Sequence, residues 1–368
     1  MKGCFDTLAI NERITEILSN FKTIGEIVSC APFGNGHINS TYIVKTKDQN
    51  SEYKYILQGI NTYVFKNPQA IMENIEKVTN YLRERSLGKR ILSLVYNIDG
   101  HTYYKDNENN FWRVYDFIEN SICLDIVENA EDFYECAVAF GNFQRDLCDF
   151  PASTLYETIL DFHNTPKRYE AFLASCDRNF SGRLDTAERE VEFVKDRKDF
   201  YSVLIDANKE GRLPLKVTHN DTKSNNVMLD KDTRKAICVI DLDTIMPGFS
   251  VTDFGDAVRC GASTAAEDEK DLDKVHFDLN FFEAYVKGFI EGCGGMLERE
   301  EILLLPEGAK MMTIECGMRF LADYIDGDVY FKTAYPEHNL VRARTQFKLV
   351  SEMEQKWDQM KQIIEKYI

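Results

Sequence analysis

Apolar and polar positions alternate with two different periods along the chain. Over residues 8–20 Ile10, Ile14, Ile17 and Leu18 recur at helical spacing and predict a short opening helix. From Glu26 to Ile60 the pattern changes to β-branched and aromatic runs. EIVSCAP, NSTYIVKT and EYKYILQGI, separated by FGNGHI and KDQNS, predict three strands. Asn67-Pro68 reads as an N-cap followed by a first-turn proline, opening a helix to about Arg85 with Ile71, Ile75, Val78 and Leu82 buried. ILSLVYN, HTYYKD and FWRVYDFI predict two or three further strands, the last two flanking the turn DNENN. Past Glu119 the period becomes helical. Phe133, Ala137, Phe140, Phe143 and Leu147 mark a helix over 130–148, with others expected at 185–209, 277–292, 309–325 and 341–366. One hairpin, NVMLD-KDTR-KAICVIDLD, interrupts them. The expected fold is α+β: a small antiparallel β lobe over 1–117, a larger, mainly helical lobe over 118–368, and a ligand cleft between them.

Composition narrows the function. Of 368 residues, 44 are basic and 61 acidic, a net charge of −17. Such a field repels polyphosphate and anionic lipid, so nucleic acid and membrane partners are not expected. A small anionic ligand remains possible where amides or a metal reverse the local sign. Ten scattered cysteines include no Cys-x-x-Cys pair, which predicts reduced thiols. Met1 to Ser19 contains no apolar signal core, so a soluble cytoplasmic protein is expected.

The chemistry concentrates in VTHNDTKSNNVMLD, residues 217–230. His219-x-Asp221 is followed by Lys223 and Asn226, and Asp241 comes fifteen residues past Asn226 at the end of an apolar run. This is the layout of a kinase catalytic loop with its metal aspartate. Asp221 can accept a hydroxyl proton, Asn226 and Asp241 offer hard oxygen ligands for Mg²⁺, and Lys223 can face a γ-phosphate. On an extended strand Asp243 would share a face with Asp241 and serve a second ion. Turn-forming Asp and Asn residues would explain one or two of these positions, not five at this spacing. Asp253-Phe254-Gly255 spells the metal tripeptide of protein kinases but lies 27 residues past Asn226 without a strand before it. Asp253 is therefore expected to cap a turn or helix, or to buttress the site through backbone amides. Gly34, Asn35 and Gly36, between two strands, can lay amides over phosphates or simply make a hairpin turn. Tyr115 and Phe117 lie where a hinge would bind adenine, or where a buried strand would run. The third strand carries Gln58 where a phosphate-binding lysine is expected, and Lys54 comes too early.

GNGHIN, YILQ-x-IN, FHNTP, THNDTKSNNV, VIDLDTIMPG, DFGDAVR, GASTAAEDE and RFLADYIDGDVYFK together resemble the aminoglycoside phosphotransferase and choline kinase superfamily. The closer likeness is to its N-acetylhexosamine 1-kinase subgroup, which Gln58 fits. The resemblance implies a protein-kinase-like bilobal fold. It also implies ATP- and Mg²⁺-dependent phosphorylation of the anomeric hydroxyl of N-acetylglucosamine or N-acetylgalactosamine. It makes Asp221 the base, Asn226 and Asp241 metal ligands, and Arg319, Tyr330 and His37 sugar contacts. Arg319 could instead pair with the acidic stretch Asp323 to Asp328, Tyr330 could be packing and His37 a turn residue. Residues 261–276 read as a solvated loop or a mobile lid. Kinases of choline, homoserine or aminoglycosides, and a nucleotide-binding pseudokinase, are the alternatives. The intact Asp221, Asn226 and Asp241 set argues against the pseudokinase, and a glycosidase built on Asp241 and Asp243 lacks two carboxylates straddling a bond.

Overall fold

The computed structural model describes residues 12–34, 38–85 and 90–368. The chain divides into two compact units, Met1–Ser121 and Ile122–Ile368. In the first, residues 12–19 form helix α1, packing Ile14, Ile17 and Leu18 into a core with Val44, Tyr55, Leu57 and Val114. Strands β1 (Glu26–Pro32), β2 (Ser40–Lys47) and β3 (Glu52–Ile60) follow, then α2 (Pro68–Arg85), β4 (Leu94–Val95), β5 (Tyr104–Lys105) and β6 (Phe111–Asp116). The strands form one antiparallel sheet in the order β1-β2-β3-β6-β4, with β5 on β6. Local chemistry sets the corners. Asp48 Oδ1 accepts from the Asn50 and Ser51 N–H groups at 2.8 Å, which closes the β2–β3 turn. Asn67 Oδ1 caps α2 through the Ala70 N–H, as the Asn-Pro pair predicts.

The second unit opens with β7 (Ser121–Cys123), paired in a three-stranded sheet with β9 (Val227–Asp230) and β10 (Ala236–Val239). A second small sheet pairs β8 (Lys216–Thr218) with β11 (Met246–Gly248). Around them stand α3 (Ala130–Asp146), α4 (Thr165–Arg178), α5 (Glu188–Lys195), α6 (Val203–Lys209), α7 (Ser250–Gly261) and α8 (Leu279–Cys293). The chain closes with α9 (Arg299–Leu303), α10 (Leu305–Asp326), α11 (His338–Gln355) and α12 (Trp357–Glu365).

Several stretches differ from the periodic reading, among them α4, which it did not include. The helix expected over 185–209 is broken into α5 and α6 by a tight turn that buries Tyr201, whose hydroxyl donates to Val194 O. The one expected over 341–366 starts earlier and breaks at Lys356. Helix α7 was not expected: residues 250–259 are all buried, and its polar residues Asp253, Asp256 and Arg259 are turned onto partners inside the fold instead of toward solvent. It crosses α10 at glycine. A Cβ on Gly255 would sit 2.2 Å from Gly308 O, so the close crossing requires glycine there.

Among the described residues the cysteines are all free, as composition predicts. Burial pushes the thiols of Cys136, Cys260, Cys293 and Cys316 up to about 12, so they act as small apolar groups. No described helix is long and apolar enough to cross a membrane.

Candidate active site

The segment after β8 is held from three sides. Helix α7 supplies the first clamp. Asp253 is 1 % exposed, and its carboxylate accepts from the His219 N–H at 2.9 Å, the Asn220 N–H at 2.7 Å and Gln144 Nε2 at 2.8 Å. One turn on, Asp256 Oδ2 accepts from the Thr222 N–H at 3.0 Å. Burial pushes the Asp253 carboxyl up. Burial acts on Asp256 the same way, but the Arg259, His163 and Lys223 charges outweigh it and hold its carboxyl low. The DFGD stretch thus grips the segment after β8 by its backbone.

The second clamp is the hairpin. Buried His219 donates from Nε2 to Ile240 O at 2.8 Å and accepts the Asp221 N–H at Nδ1, 3.3 Å, with Phe140 and Phe143 edge-on to its ring. Asn220 takes the left-handed conformation, φ 63°, which asparagine tolerates. Its side chain bonds Thr218 O and Thr244 O, fixing that turn. The third clamp comes from FHNTP. His163 bridges Asn220 O at 3.2 Å and Glu315 Oε1 at 2.9 Å, and Thr165 donates to Glu315 Oε2 at 2.6 Å.

Asp221 is thereby presented partly exposed, between Lys223 Nζ on Oδ1 at 3.1 Å and Asn226 Nδ2 on Oδ2 at 3.1 Å. Asp221's charge is the main cause holding the Lys223 ammonium above its usual range. Asn226 Nδ2 also donates to Asp221 O at 2.8 Å, which fixes the amide and leaves Oδ1 as its acceptor. The Ile240 N–H donates to Asn226 O at 2.9 Å, so Asp241 follows directly on a residue bonded to Asn226. Asp241 is exposed and left-handed, φ 59°. This pair offers an amide oxygen and a carboxylate at one end of the hairpin, a donor set that fits a hard cation.

Asp243 requires a correction. β10 ends at Val239, and after the left-handed Asp241 the chain enters a 3₁₀ turn over Leu242–Thr244. Strand alternation therefore does not carry to Asp243, which is 3 % exposed while Asp241 is exposed.

Arg319 lies on α10 one turn past Glu315. Its guanidinium is 5.5 Å from the Phe162 ring, 5.9 Å from Tyr330 and 5.6 Å from Phe331. Among the described residues no carboxylate pairs with it. The acidic stretch is occupied elsewhere: Asp323 accepts from the Val329, Tyr330 and Phe331 N–H groups, Asp326 pairs with Arg178, and Asp328 with Arg183. Asp323 thus shapes the loop that brings Tyr330 and Phe331 to Arg319. Arg168 donates twice to Phe162 O. Burial, then the Arg319 charge, holds Arg168 below its usual range.

In the first unit Gly34 is left-handed, φ 75°, and Asn35, Gly36 and His37 lie outside the described residues. Tyr115 is buried within β6, and the Phe117 N–H is bonded to Lys54 O, so that donor is not open to an adenine. Lys54 pairs with Glu119 at 2.9 Å. Gln58 instead meets Arg113, a residue the sequence reading passed over. Within the 261–276 segment Glu267 pairs with Arg259 and Asp268 with His338.

Residues 29–288 match the phosphotransferase enzyme family. The chain belongs to that family. Several solved structures share its fold. A microcompartment-associated aminopropanol kinase aligns at TM-score 0.61 and 14% identity, over 95% of this chain and 98% of that one. Choline kinase from Cryptosporidium parvum Iowa II aligns at 0.60 and 13%, over 97% and 99%. Spectinomycin phosphotransferase, in complex with ADP and spectinomycin, aligns at 0.54 and 10%, over 91% and 98%. The fold of this phosphotransferase is α+β, with a β-sheet N-terminal region and a helical C-terminal region as the sequence patterns predict, and protein-kinase-like as the resemblance implies.

The sequence reading missed four groups here: Arg113, Asp256, His163 and Arg168. His163 and Arg168 lie in or beside FHNTP, where Asn164 caps α4 through the Lys167 N–H with Pro166 in the first turn. That N-cap and proline signal was legible and would have located the helix.

Proposed function

We propose that this phosphotransferase is an ATP-dependent kinase that phosphorylates the anomeric hydroxyl of an N-acetylhexosamine. Asp221 takes the hydroxyl proton as the sugar oxygen bonds to the γ-phosphorus and the bond from that phosphorus to the ADP oxygen breaks. Lys223, paired with that carboxylate, would face the transferring phosphoryl group. Asn226 Oδ1 and Asp241 are the groups that would hold Mg²⁺, which when bound neutralises charge on the β- and γ-phosphates. Residues of the first unit, among them Gly34 and Gln58, would take the nucleotide.

The observation that carries the choice of acceptor is Arg319, held among three aromatic rings with Arg168 nearby and no carboxylate in ion-pair contact with it among the described residues, the nearby Glu315 being bonded to His163 and Thr165. Aminopropanol and choline, named for two of the similar structures, bring a positive charge, and this cluster repels one. A neutral polyol offers oxygens that a guanidinium can bond, and ring faces suit its C–H groups. The test is ADP release from MgATP with N-acetylglucosamine, N-acetylgalactosamine, choline, ethanolamine and homoserine offered separately. The proposal expects turnover with an N-acetylhexosamine and loss of its reducing end. Turnover confined to the amines would overturn it.

A further inference from the structure

The first unit holds a polar row across its sheet. Thr41 of β2 stands opposite Gln58 of β3, and Gln58 stands opposite Arg113 of β6, three side chains in one register. Arg113 donates to Gln58 Oε1 twice, from Nε at 3.0 Å and Nη2 at 2.8 Å. Two donors on one atom fix which end of the carboxamide is oxygen, because an amide nitrogen there would face only N–H groups. Gln58 Nε2 is thereby directed along the row to Thr41 Oγ1, 3.0 Å away, and carries a second N–H. Arg113 is 1 % exposed, whereas Gln58 is half-buried, so the charge lies behind and the amide in front. The row ends beside the glycine loop, since the Phe33 N–H bonds Thr41 O at 3.0 Å and Gly34 follows.

We propose that Gln58 and Arg113 together form a phosphate-binding donor, in which buried Arg113 polarises and orients the Gln58 carboxamide and Gln58 Nε2–H bonds a nucleotide phosphate oxygen. The proposal rests on the reading of the chain as an ATP-dependent kinase, and it identifies what replaces a strand lysine. A lysine at 58 would face the Arg113 guanidinium across the strand pair, and like charges there destabilise. With the cation moved to β6, the β3 position takes a neutral group that accepts from the guanidinium on one side and donates on the other. A buried charge is weakly screened, so its field at the amide stays strong.

The discriminating variant is Gln58→Glu. It keeps two acceptors for Arg113, so the pair and the sheet persist, but it removes both N–H donors and puts a negative charge where phosphate would bind. Calorimetric titration with ADP and, separately, adenosine reads the effect, with melting temperature alongside. Loss of one charge-assisted donor predicts that ADP affinity falls by at least about tenfold, with adenosine affinity within about twofold of wild type. Arg113→Lys, which keeps the charge and loses the two-pronged grip, is expected to give a smaller loss with the same selectivity for ADP. Unchanged ADP affinity in both variants, or equal losses for ADP and adenosine, would overturn the proposal and leave the kinase reading standing. A wild-type chain that binds no ADP would overturn both.

Discussion

Replacing Arg319 by methionine separates a sugar-binding role from a packing role. Methionine keeps much of the aliphatic stem and makes favourable contacts with ring edges, so Phe162, Tyr330 and Phe331 stay packed. What disappears is the charge and five N–H donors. Cation–π contacts are worth roughly 0.5–1 kcal/mol each where partly exposed, and sulfur–aromatic contacts return much of that. Arg168 also loses a like-charged neighbour. Net stability should therefore change by no more than about 1 kcal/mol. Each charge-assisted hydrogen bond to a sugar oxygen contributes roughly 1.5–3 kcal/mol, which predicts a rise in sugar KM of about 10- to 150-fold per bond lost. KM for ATP should stay within about twofold, since uniform binding of one substrate alone is removed. Arg319→Lys keeps the charge without the planar fork and should fall between the two. Steady-state kinetics with each substrate varied, plus thermal melting, is the assay. A sugar KM within twofold of wild type, or equal rises in both constants, would refute the reasoning.

The metal and buttress roles separate in a second pair of variants. Asp241→Asn, which tolerates the left-handed backbone, should lose Mg²⁺ binding and activity with little change in melting. Asp253→Ala strands the His219 and Asn220 N–H groups and Gln144, costing about 2–5 kcal/mol of stability, while Mg²⁺ titration stays near wild type. Acid sensitivity gives a third test. Burial raises the Glu352 carboxyl, but Lys356, His276, the Phe277 N–H and Lys348 outweigh it and hold it down to about 2, against an ordinary value of 4.5. A depressed carboxyl stabilises the fold above its ordinary value, and the contribution fades as pH falls from about 4.5 toward 2. The melting difference between wild type and Glu352→Gln should be full at pH 6 and shrink steadily below about 4.5. A difference that stays constant over that range would contradict it.

The strands of the first unit were readable because period-two runs alternate with turn formers such as Asp48, whose carboxylate closes the turn. The candidate residues Asp221, Lys223 and Asn226 could be grouped from the sequence because their spacing is local, and the structure brings them together. What escaped was three-dimensional. Helix α7 buries its polar stripe as well as its apolar one, because Asp253 and Asp256 bond the loop after β8, so the stripe does not mark a solvent face. Asp243 was misjudged because a single left-handed residue, Asp241, ends the strand geometry on which alternation depends. Arg113 looked like one more residue in an aromatic strand. Its pairing with Gln58, 55 positions earlier, is set by sheet register, which no short motif encodes.

The most direct test of the account is to follow the transferred atoms. The chain is incubated with MgATP and N-acetylglucosamine or N-acetylgalactosamine carrying 18O at the anomeric oxygen, and the product is examined by phosphorus NMR, with Asp221→Asn run in parallel. The account predicts a sugar 1-phosphate whose phosphorus couples to H1, with 18O in the bridge between C1 and phosphorus. Asp221→Asn should form it about 10²- to 10⁴-fold more slowly while binding ATP normally. Phosphate on another hydroxyl, or undiminished transfer by Asp221→Asn, would contradict it.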